Sequence, residues 1–440
     1  MNYSDNFMDE LVSLAKRRGF VFPSAEIYGG LSAVWDYGPL GTLLKQNLRT
    51  LWRERFVYGR QDIVPIESSI LTNRQVLKAS GHEQGFSDPL VECKVCHERF
   101  RADHEIPTGK DHEHKLTDAK SFNLMFKTYA GPIEDEGSLV YLRPETAQGM
   151  FVNFRLVADS MRLRPPFGIA QIGKNFRNEI TTGNFIFRLR ELEIAEIEYY
   201  VRADDSAKYL EHWVANWKQF FVDVGLNDDR LKIRELDPEE RAHYAVANID
   251  FEYDFPFGAG EIAGVANRTD YDLKNHINHS GKDLMLFDEA TKQKWIPYVI
   301  EPTLGVDRLL MALLVNGLQV SDGSDGREAG EKVLKLHPRI APVTVAVFPL
   351  VKKSGLPEIA QDVVAKLRQE RIGFIQYDES GSIGRRYRRQ DEIGTPYCIT
   401  VDFESKDDDA VTVRHRDSLK QERIKVSELA EYIKNLLVTY

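Results

Sequence analysis

Cysteine is scarce: Cys93, Cys96 and Cys398 are the only three in 440 residues. Three thiols cannot build a disulfide framework, so a reducing compartment is expected and the chain reads as cytoplasmic. Long apolar runs are missing as well. No 18-residue apolar stretch occurs, and the opening MNYSDNFMDELVSLAKRRGF reads as an amphipathic helix without the apolar centre of a secretion signal. Positive charge is in deficit, with 58 Lys and Arg against 68 Asp and Glu and a net charge of −10. That excludes a generally basic nucleic-acid coat and leaves room for a local basic groove, because binding depends on the local field. Internal repeats, low-complexity tracts and any Ser–His–Asp or catalytic-cysteine arrangement are also absent. The remainder, 42% hydrophobic and 29% charged, is an ordinary globular composition, and the length suffices for two or three domains.

The richest stretch is Gly173 to Tyr200, GKNFRNEITTGNFIFRLRELEIAEIEYY. It reads as two strands joined by a polar loop, Ile180 to Asn184, with the first strand ending Phe176-Arg177-Asn178-Glu179 and the second starting at Phe185. Alternation puts Arg177 and Glu179 on one face, and Arg188, Arg190, Leu192 and Ile194 on another. Glutamates shift from odd to even positions between Glu193 and Glu196, which predicts a bulge or twist. Arginine forks grip phosphate and a carboxylate accepts from an exocyclic amine, so this hairpin suits a nucleotide. A solvated charged hairpin is the competing reading.

Elsewhere, period predicts helices at 5–18, 41–57 and 206–224, the last with a core face of Trp213, Trp217, Phe220 and Phe221, and a strand at 62–71. Between Ser80 and Asn123 lie two cysteines and five histidines. Cys93-x-x-Cys96 is half of a zinc-knuckle spacing, and Asp111-His112-Glu113-His114 stands where the second half belongs. A zinc site at Cys93, Cys96, His112 and His114 and a knuckle that has lost its metal are both open. Residues 138–155 pass from strand to helix and present Glu145 at the junction. In residues 249–273, Gly258, Gly260 and Gly264 mark a close backbone approach, followed by Arg268 and Asp270. Residues 297–314 read strand, turn, helix, with Glu301 and Thr303 on the strand. Arg308 in the first helical turn opposes the helix dipole, which favours a ligand role. SDGSDGREAGE at 321–331 reads as a linker. Beyond it, strands alternate with helices as in a small α/β domain, including an edge strand at 411–414. Arg385, Arg386, Tyr387, Arg388 and Arg389 make a basic patch suited to phosphates and a stacked base, or a solvated charge run.

LRPETAQG (142–149), NFRNE (175–179), ANRTD (266–270), VIEP (299–302) and SIGRRYRRQDEIGTP (382–396), in this order, resemble the homodimeric glycyl-tRNA synthetases of class II. KASGHEQGFSDP (78–89) and FNLMFKTYAGPIED (122–135) are similar too, so the resemblance covers nearly the whole chain. It implies an α+β catalytic domain at 1–335, built on an antiparallel sheet flanked by helices, with an insertion at about 85–122. A C-terminal α/β anticodon-binding domain would occupy 340–440. It further implies ATP and magnesium, tRNA(Gly) as partner and a homodimer. Carried over, Arg177 would hold the α-phosphate, Glu179 would face the adenine edge, Arg188 and Arg308 would hold the β,γ-phosphates, and Asn178 and Leu192 would be further ATP contacts. Glu289 and Glu301 would meet magnesium. Glu145 and Glu301 would bind the glycine ammonium, Arg268 its carboxylate, and Thr303 would stand where the family has serine. The basic patch would meet the anticodon.

Departures are also legible. Arg190-Glu191-Leu192 stands for the usual REF, removing the ring that stacks on adenine, and Ile194 replaces a polar residue. GAGEIAG at 258–264 stands for GWGELEG, so Ala259 and Ala263 replace an aromatic and a carboxylate. These changes predict a looser pocket, with weaker ATP binding or reduced glycine selectivity. Two other readings follow: a sister synthetase for another small amino acid, and a tRNA-binding paralogue with weak catalysis.

Overall fold

The computed structural model describes the chain except Met1, Asn2, Asp5, Glu105, Gly109, Lys110, Thr182, Asn227, His243, Thr439 and Tyr440. Asp5, where the first helix is expected to begin, and Thr182 of the expected hairpin loop therefore lie outside the described residues. Helices α1 (Phe7–Arg18) and α2 (Pro39–Arg53) come first, then strand β1 (Ile63–Pro65). The stretch expected as one strand at 62–71 is divided, because its second half pairs elsewhere, Leu71 with Leu142. A small sheet follows, made of β2 (Ser87–Glu92), β3 (Arg99–Arg101) and β4 (Lys120–Asn123). Strand β5 (Leu139–Leu142) leads through Pro144-Glu145-Thr146 into α3 (Ala147–Ser160).

The central elements are β6 (Phe167–Phe176), β7 (Glu191–Val201), α4 (Ser206–Asp223), β8 (Leu231–Glu235), β9 (Ala247–Phe255), β10 (Gly258–Thr269), β11 (Tyr298–Gly305) and α5 (Val306–Gly317). Seven strands form one sheet in the order β8-β9-β10-β11-β7-β6-β1, antiparallel except for β1 beside β6. The expected core face of α4 is core: Trp213, Trp217, Phe220 and Phe221 are buried around Phe56. Odd residues of β7 (Ala195, Ile197, Tyr199) join that apolar cluster with α5. Even residues of β7 face the other way, and the site is built there.

The glycine-rich stretch 321–331 is not a linker. It is the loop of a hairpin between β12 (Leu318–Val320) and β13 (Lys332–Leu334). Its Arg327 is buried and donates to Asp391 and to the Arg416 carbonyl, docking the loop on the C-terminal residues. Beyond it come β14 (Val345–Pro349), α6 (Leu356–Gln369), β15 (Ile375–Tyr377), α7 (Ile383–Ile393), β16 (Tyr397–Val401), β17 (Ala410–His415), β18 (Gln421–Lys425) and α8 (Leu429–Val438). The sheet order is β15-β14-β16-β17-β18, over a separate apolar cluster. Strand β17 is thus interior; β18, too polar for the pattern to reveal, takes the edge.

Candidate active site

Strands β6 and β7 pair without interruption from Phe167–Tyr200 to Phe176–Glu191. No bulge accounts for the shift of glutamates along β7. Both faces of the strand use carboxylates instead. Glu193 points to one face, where Lys45 Nζ lies 2.8 Å from it and 2.6 Å from Asp307, and Arg49 lies 2.6 Å from Glu193. Glu196 and Glu198 point to the opposite face.

That opposite face carries a cluster of buried acids. Glu196 accepts from Thr303 Oγ1 at 3.2 Å and from Thr146 Oγ1. Carboxylate oxygens of Glu196, Glu198 and Glu301 lie within 4.8 Å of one another. Glu145, in the turn before α3, receives Gln148 Nε2 at 3.0 Å and faces His82 Nε2 at 3.3 Å. Burial lifts the carboxyls of Glu301 and Glu198 well above the usual range, and does the same less strongly for Glu196, where the Glu145 charge adds to it. Burial also works against ionised Glu145, but His82 and then Arg268 outweigh it and hold that carboxyl well below the usual range. Five carboxyls, counting Asp272, thus face one arginine and one histidine. Such a concentration of buried acids, each of which gains by meeting a positive charge, suits a small cation with several N–H donors.

Arg268 does not supply a free fork. It is 1% exposed, donates Nε and Nη2 to Asp272 at 2.8 and 2.9 Å and Nη1 to Glu301 at 2.7 Å, and lies over the Tyr244 ring at 3.7 Å. The expectation that it grips a ligand carboxylate is therefore corrected: Asp272 already occupies its fork, and it orients Glu301. Glu196 is one of the cluster's acids that sequence reasoning did not single out, with Glu198 and Asp272. Its position on the even face with Leu192 and Ile194 was the available signal, hidden by the reading of a bulge.

Next to the acids lies a cavity lined by Arg177, Glu179, Arg188, Leu192, Ile194, Glu261, Ala263, Thr303 and Arg308, among others. Arg177 and Glu179 are not on a strand. They belong to a loop, 177–190, anchored by Arg177 N to Arg190 O at 2.9 Å and Arg190 N to Ala33 O at 3.0 Å. Arg177 Nε donates to Pro144 O at 3.1 Å, and its guanidinium lies 5.4 Å from the Phe86 ring. Neither Arg177 nor Arg188 has a carboxylate partner among the described residues, so two half-buried cations are left for an anion. Arg308 donates to Glu261 at 3.0 Å and lies 4.6 Å over Phe187. The close approach expected at the glycines is real at Gly260, where a Cβ would sit 2.6 Å from Phe187 Cζ. Asn178 does not line this cavity; its backbone N–H goes to Leu124 O at 2.7 Å.

Other expected site residues fall elsewhere. Glu289 is exposed in the turn after Asp288, pairs with Lys292 at 3.0 Å and lines a different hollow with Arg155 and Arg202. The hairpin 286–295 carries it to that hollow, so, against expectation, it does not line the cavity of Arg177 and Arg308. In the basic patch, Arg386 is buried and donates to the carbonyls of Pro349 and Leu350, and Tyr387 bonds Thr400. Arg388 pairs with Glu328 and Glu331, and Arg389 with Asp378. Only Arg385 is exposed and without an ion pair among the described residues. Cys93, Cys96, His112 and His114 converge, with ligand atoms within 4.8 Å of one another. No helix among the described residues is long and apolar enough to cross a membrane.

Residues 126–316 match the tRNA synthetase class II core domain (G, H, P, S and T), and residues 344–436 match the anticodon binding domain. The glycine–tRNA ligase of Thermobifida fusca (strain YX) is 47% identical over 450 residues, 97% of each chain. That of Caldanaerobacter subterraneus subsp. tengcongensis is 48% identical over 460 residues, 98% of each. Among solved structures, a Giardia lamblia prolyl-tRNA synthetase in complex with prolyl-adenylate superposes with a TM-score of 0.70 at 18% identity. It covers 99% of this chain and 79% of that one, a likeness of fold.

Proposed function

The chain belongs to the glycine–tRNA ligases, a family of class II aminoacyl-tRNA synthetases, and from that premise we propose how its residues divide the work of charging tRNA(Gly). The reaction joins glycine to ATP as an adenylate, then passes the glycyl group to a hydroxyl of the terminal tRNA adenosine. Glycine enters as a zwitterion. Its ammonium is held by Glu145, Glu196 and Glu301, and its carboxylate turns toward Arg177. One carboxylate oxygen attacks the α-phosphorus of ATP, and the bond to pyrophosphate breaks. Arg177 neutralises both anions as they meet, while Arg188 and Arg308 hold the β,γ-phosphates. Every reacting group is anionic, so positioning and positive charge carry the rate and no protein nucleophile is required. Glu179 and Leu192 face the base. Magnesium arrives with ATP as part of the substrate; the exposed carboxylate of Glu261, beside Arg308, is the group offered to it in place of Glu289.

The observation that carries this reading is the juxtaposition of surplus buried acids with unpaired Arg177 and Arg188, joined through Thr303, which lines the cavity and donates to Glu196. Glycine, which has no side chain, is selected by exclusion of larger amino acids beside the buried Glu196 and Glu301. The test separates the two ends of the molecule. Arg177→Ala lowers glycine-dependent ATP–pyrophosphate exchange by on the order of a hundred- to a thousandfold and leaves tRNA binding unchanged. Arg385→Ala, at the exposed end of the basic patch, does the reverse. Normal exchange in the first variant would refute the assignment of Arg177.

A further inference from the structure

Between Ser80 and Asn123 the fold sorts the two cysteines and five histidines. His82 turns to Glu145, and His97 pairs with Glu92 at 3.2 Å in solvent. His104 stands in the turn after β3. The other four, Cys93, Cys96, His112 and His114, come together from two arms of the segment. Cys93 Sγ lies 3.5 Å from His112 Nε2, and Cys96 Sγ lies 3.7 Å from His114 Nδ1. A tetrahedral metal with bonds of about 2.3 Å to sulfur and about 2.0 Å to nitrogen has S···N edges of about 3.5 Å.

The backbone is shaped for the same purpose. Cys93 N bonds Glu98 O at 2.8 Å and His97 N bonds Cys93 O at 2.9 Å, closing a tight turn. Inside that turn Val95 N–H points to Cys93 Sγ at 3.4 Å, a donor suited to a thiolate. His97 takes φ +61°, the left-handed conformation that the turn requires right after the second cysteine. The second arm is laid alongside by Lys94 N to Lys115 O at 2.7 Å and by the bridge between Cys93 and Leu116. Glu98 Oε2 lies 3.9 Å from the outer nitrogen of His114, where a second partner orients a metal-bound imidazole.

The small sheet has little else to hold it. Among its described residues Val91 and Cys93 are the buried apolar side chains, and Val91 belongs to none of the apolar clusters. Segments with so little core are commonly held by a metal or a disulfide, and all three cysteines of this chain are free.

We propose that Cys93, Cys96, His112 and His114 bind a structural zinc ion that clips the two arms of the inserted sheet together. Two thiolates and two imidazoles in a closed tetrahedral set favour zinc over harder cations, and four protein ligands leave no open position for catalysis. The metal also steadies the nucleotide wall, a consequence that rests on the roles given above to Arg177 and Glu179. Strand β2 lies between Cys93 at one end and Phe86 at the other, and Phe86 lies against Arg177. Its Asp88 pairs at 2.9 Å with Arg101 of β3, within Coulombic range of Glu179.

The full-length protein, stripped by chelator and reloaded with cobalt(II), tests the site without reference to activity. One equivalent per chain is expected, with the visible bands of a tetrahedral centre and thiolate-to-cobalt charge transfer, all displaced by zinc. Cys96→Ser and His114→Gln abolish that spectrum, whereas Cys398→Ser, altering the buried thiol of the C-terminal sheet, keeps it. An octahedral spectrum, no bound metal, or a spectrum untouched by Cys96→Ser would overturn the proposal while leaving the synthetase reading intact. In the zinc-free Cys96→Ser protein the KM for ATP rises severalfold; an unchanged value would remove the link to the nucleotide wall.

Discussion

Glu196 has two neutral donors, Thr146 and Thr303, and among the described residues no cation lies within bonding distance of it. Burial first and the Glu145 charge second lift its carboxyl above the usual range, so its proton is held more tightly than a free carboxyl's. An ammonium ion competes with that proton. Raising the pH through the lifted pKa ionises Glu196 and improves the attraction, so the KM for glycine falls as pH rises over that interval. Glu196→Gln removes the charge-assisted hydrogen bond, of roughly 1.5–3 kcal/mol, and raises the KM for glycine about ten- to a hundredfold. It also flattens the pH dependence; a profile unchanged by the variant would show that another acid titrates. Departures from the family pattern separate at this scale. Leu192, Ile194 and Ala263 line the cavity of Arg177 and Arg308 and Ala259 is exposed, so none of them lies among Glu145, Glu196 and Glu301, the acids proposed to hold glycine. Glycine selectivity is thus expected to persist, and the expected cost falls on ATP. Leu192→Phe restores a ring worth about 0.5–1.5 kcal/mol and lowers the KM for ATP roughly two- to tenfold, with the KM for glycine unaltered. Steady-state kinetics with each substrate varied in turn decides it.

At the scale of elements, β7 gives each face a different task. Its even residues supply the site, and its odd residue Glu193 joins Asp307 of α5 to Lys45 and Arg49 of α2. Glu193 N also donates to Asp307 Oδ2 at 2.6 Å, and Tyr37 donates to the same carboxylate. Lys45 is 4% exposed. Removing its charge leaves two buried carboxylates under-compensated, so Lys45→Met destabilises the fold by about 3–5 kcal/mol. Calorimetry would show a lowered Tm; an unshifted transition would mean that Arg49 alone balances both acids. Because Asp307 precedes Arg308, the network also fixes the helix that presents that arginine. The loop 177–190 was harder to foresee. Its alternating charged and apolar residues imitate a strand, but its backbone bonds run to Ala33, Leu124 and itself, partners that no local pattern displays.

At the scale of the whole molecule, two apolar clusters lie under two sheets, with the hairpin 318–334 docked onto the second through Arg327 and Arg416. Ile27 and Tyr28 are 87% and 86% exposed beside exposed Leu31, an apolar surface of the kind that the homodimer implied by the family resemblance would cover. Sedimentation at twice the chain mass is the expected outcome; a monomer that remains fully active would contradict the homodimer.

By itself the sequence determined the family, the long amphipathic helices and the strands that carry the motifs, and it named Arg177, Arg188, Arg308, Glu145 and Glu301. Those rest on local periods and on residues that keep their order along the chain. The helix Tyr271–Ser280 with Asp272, and the acids Glu196 and Glu198, were not read from it. Tertiary structure alone decided which of those groups are free to act. It paired Arg268 with Asp272, turned Glu289 outward, buried Arg386 and brought Glu196 beside Glu301, because partners contributed by strands far apart in sequence settle whether a charge is compensated.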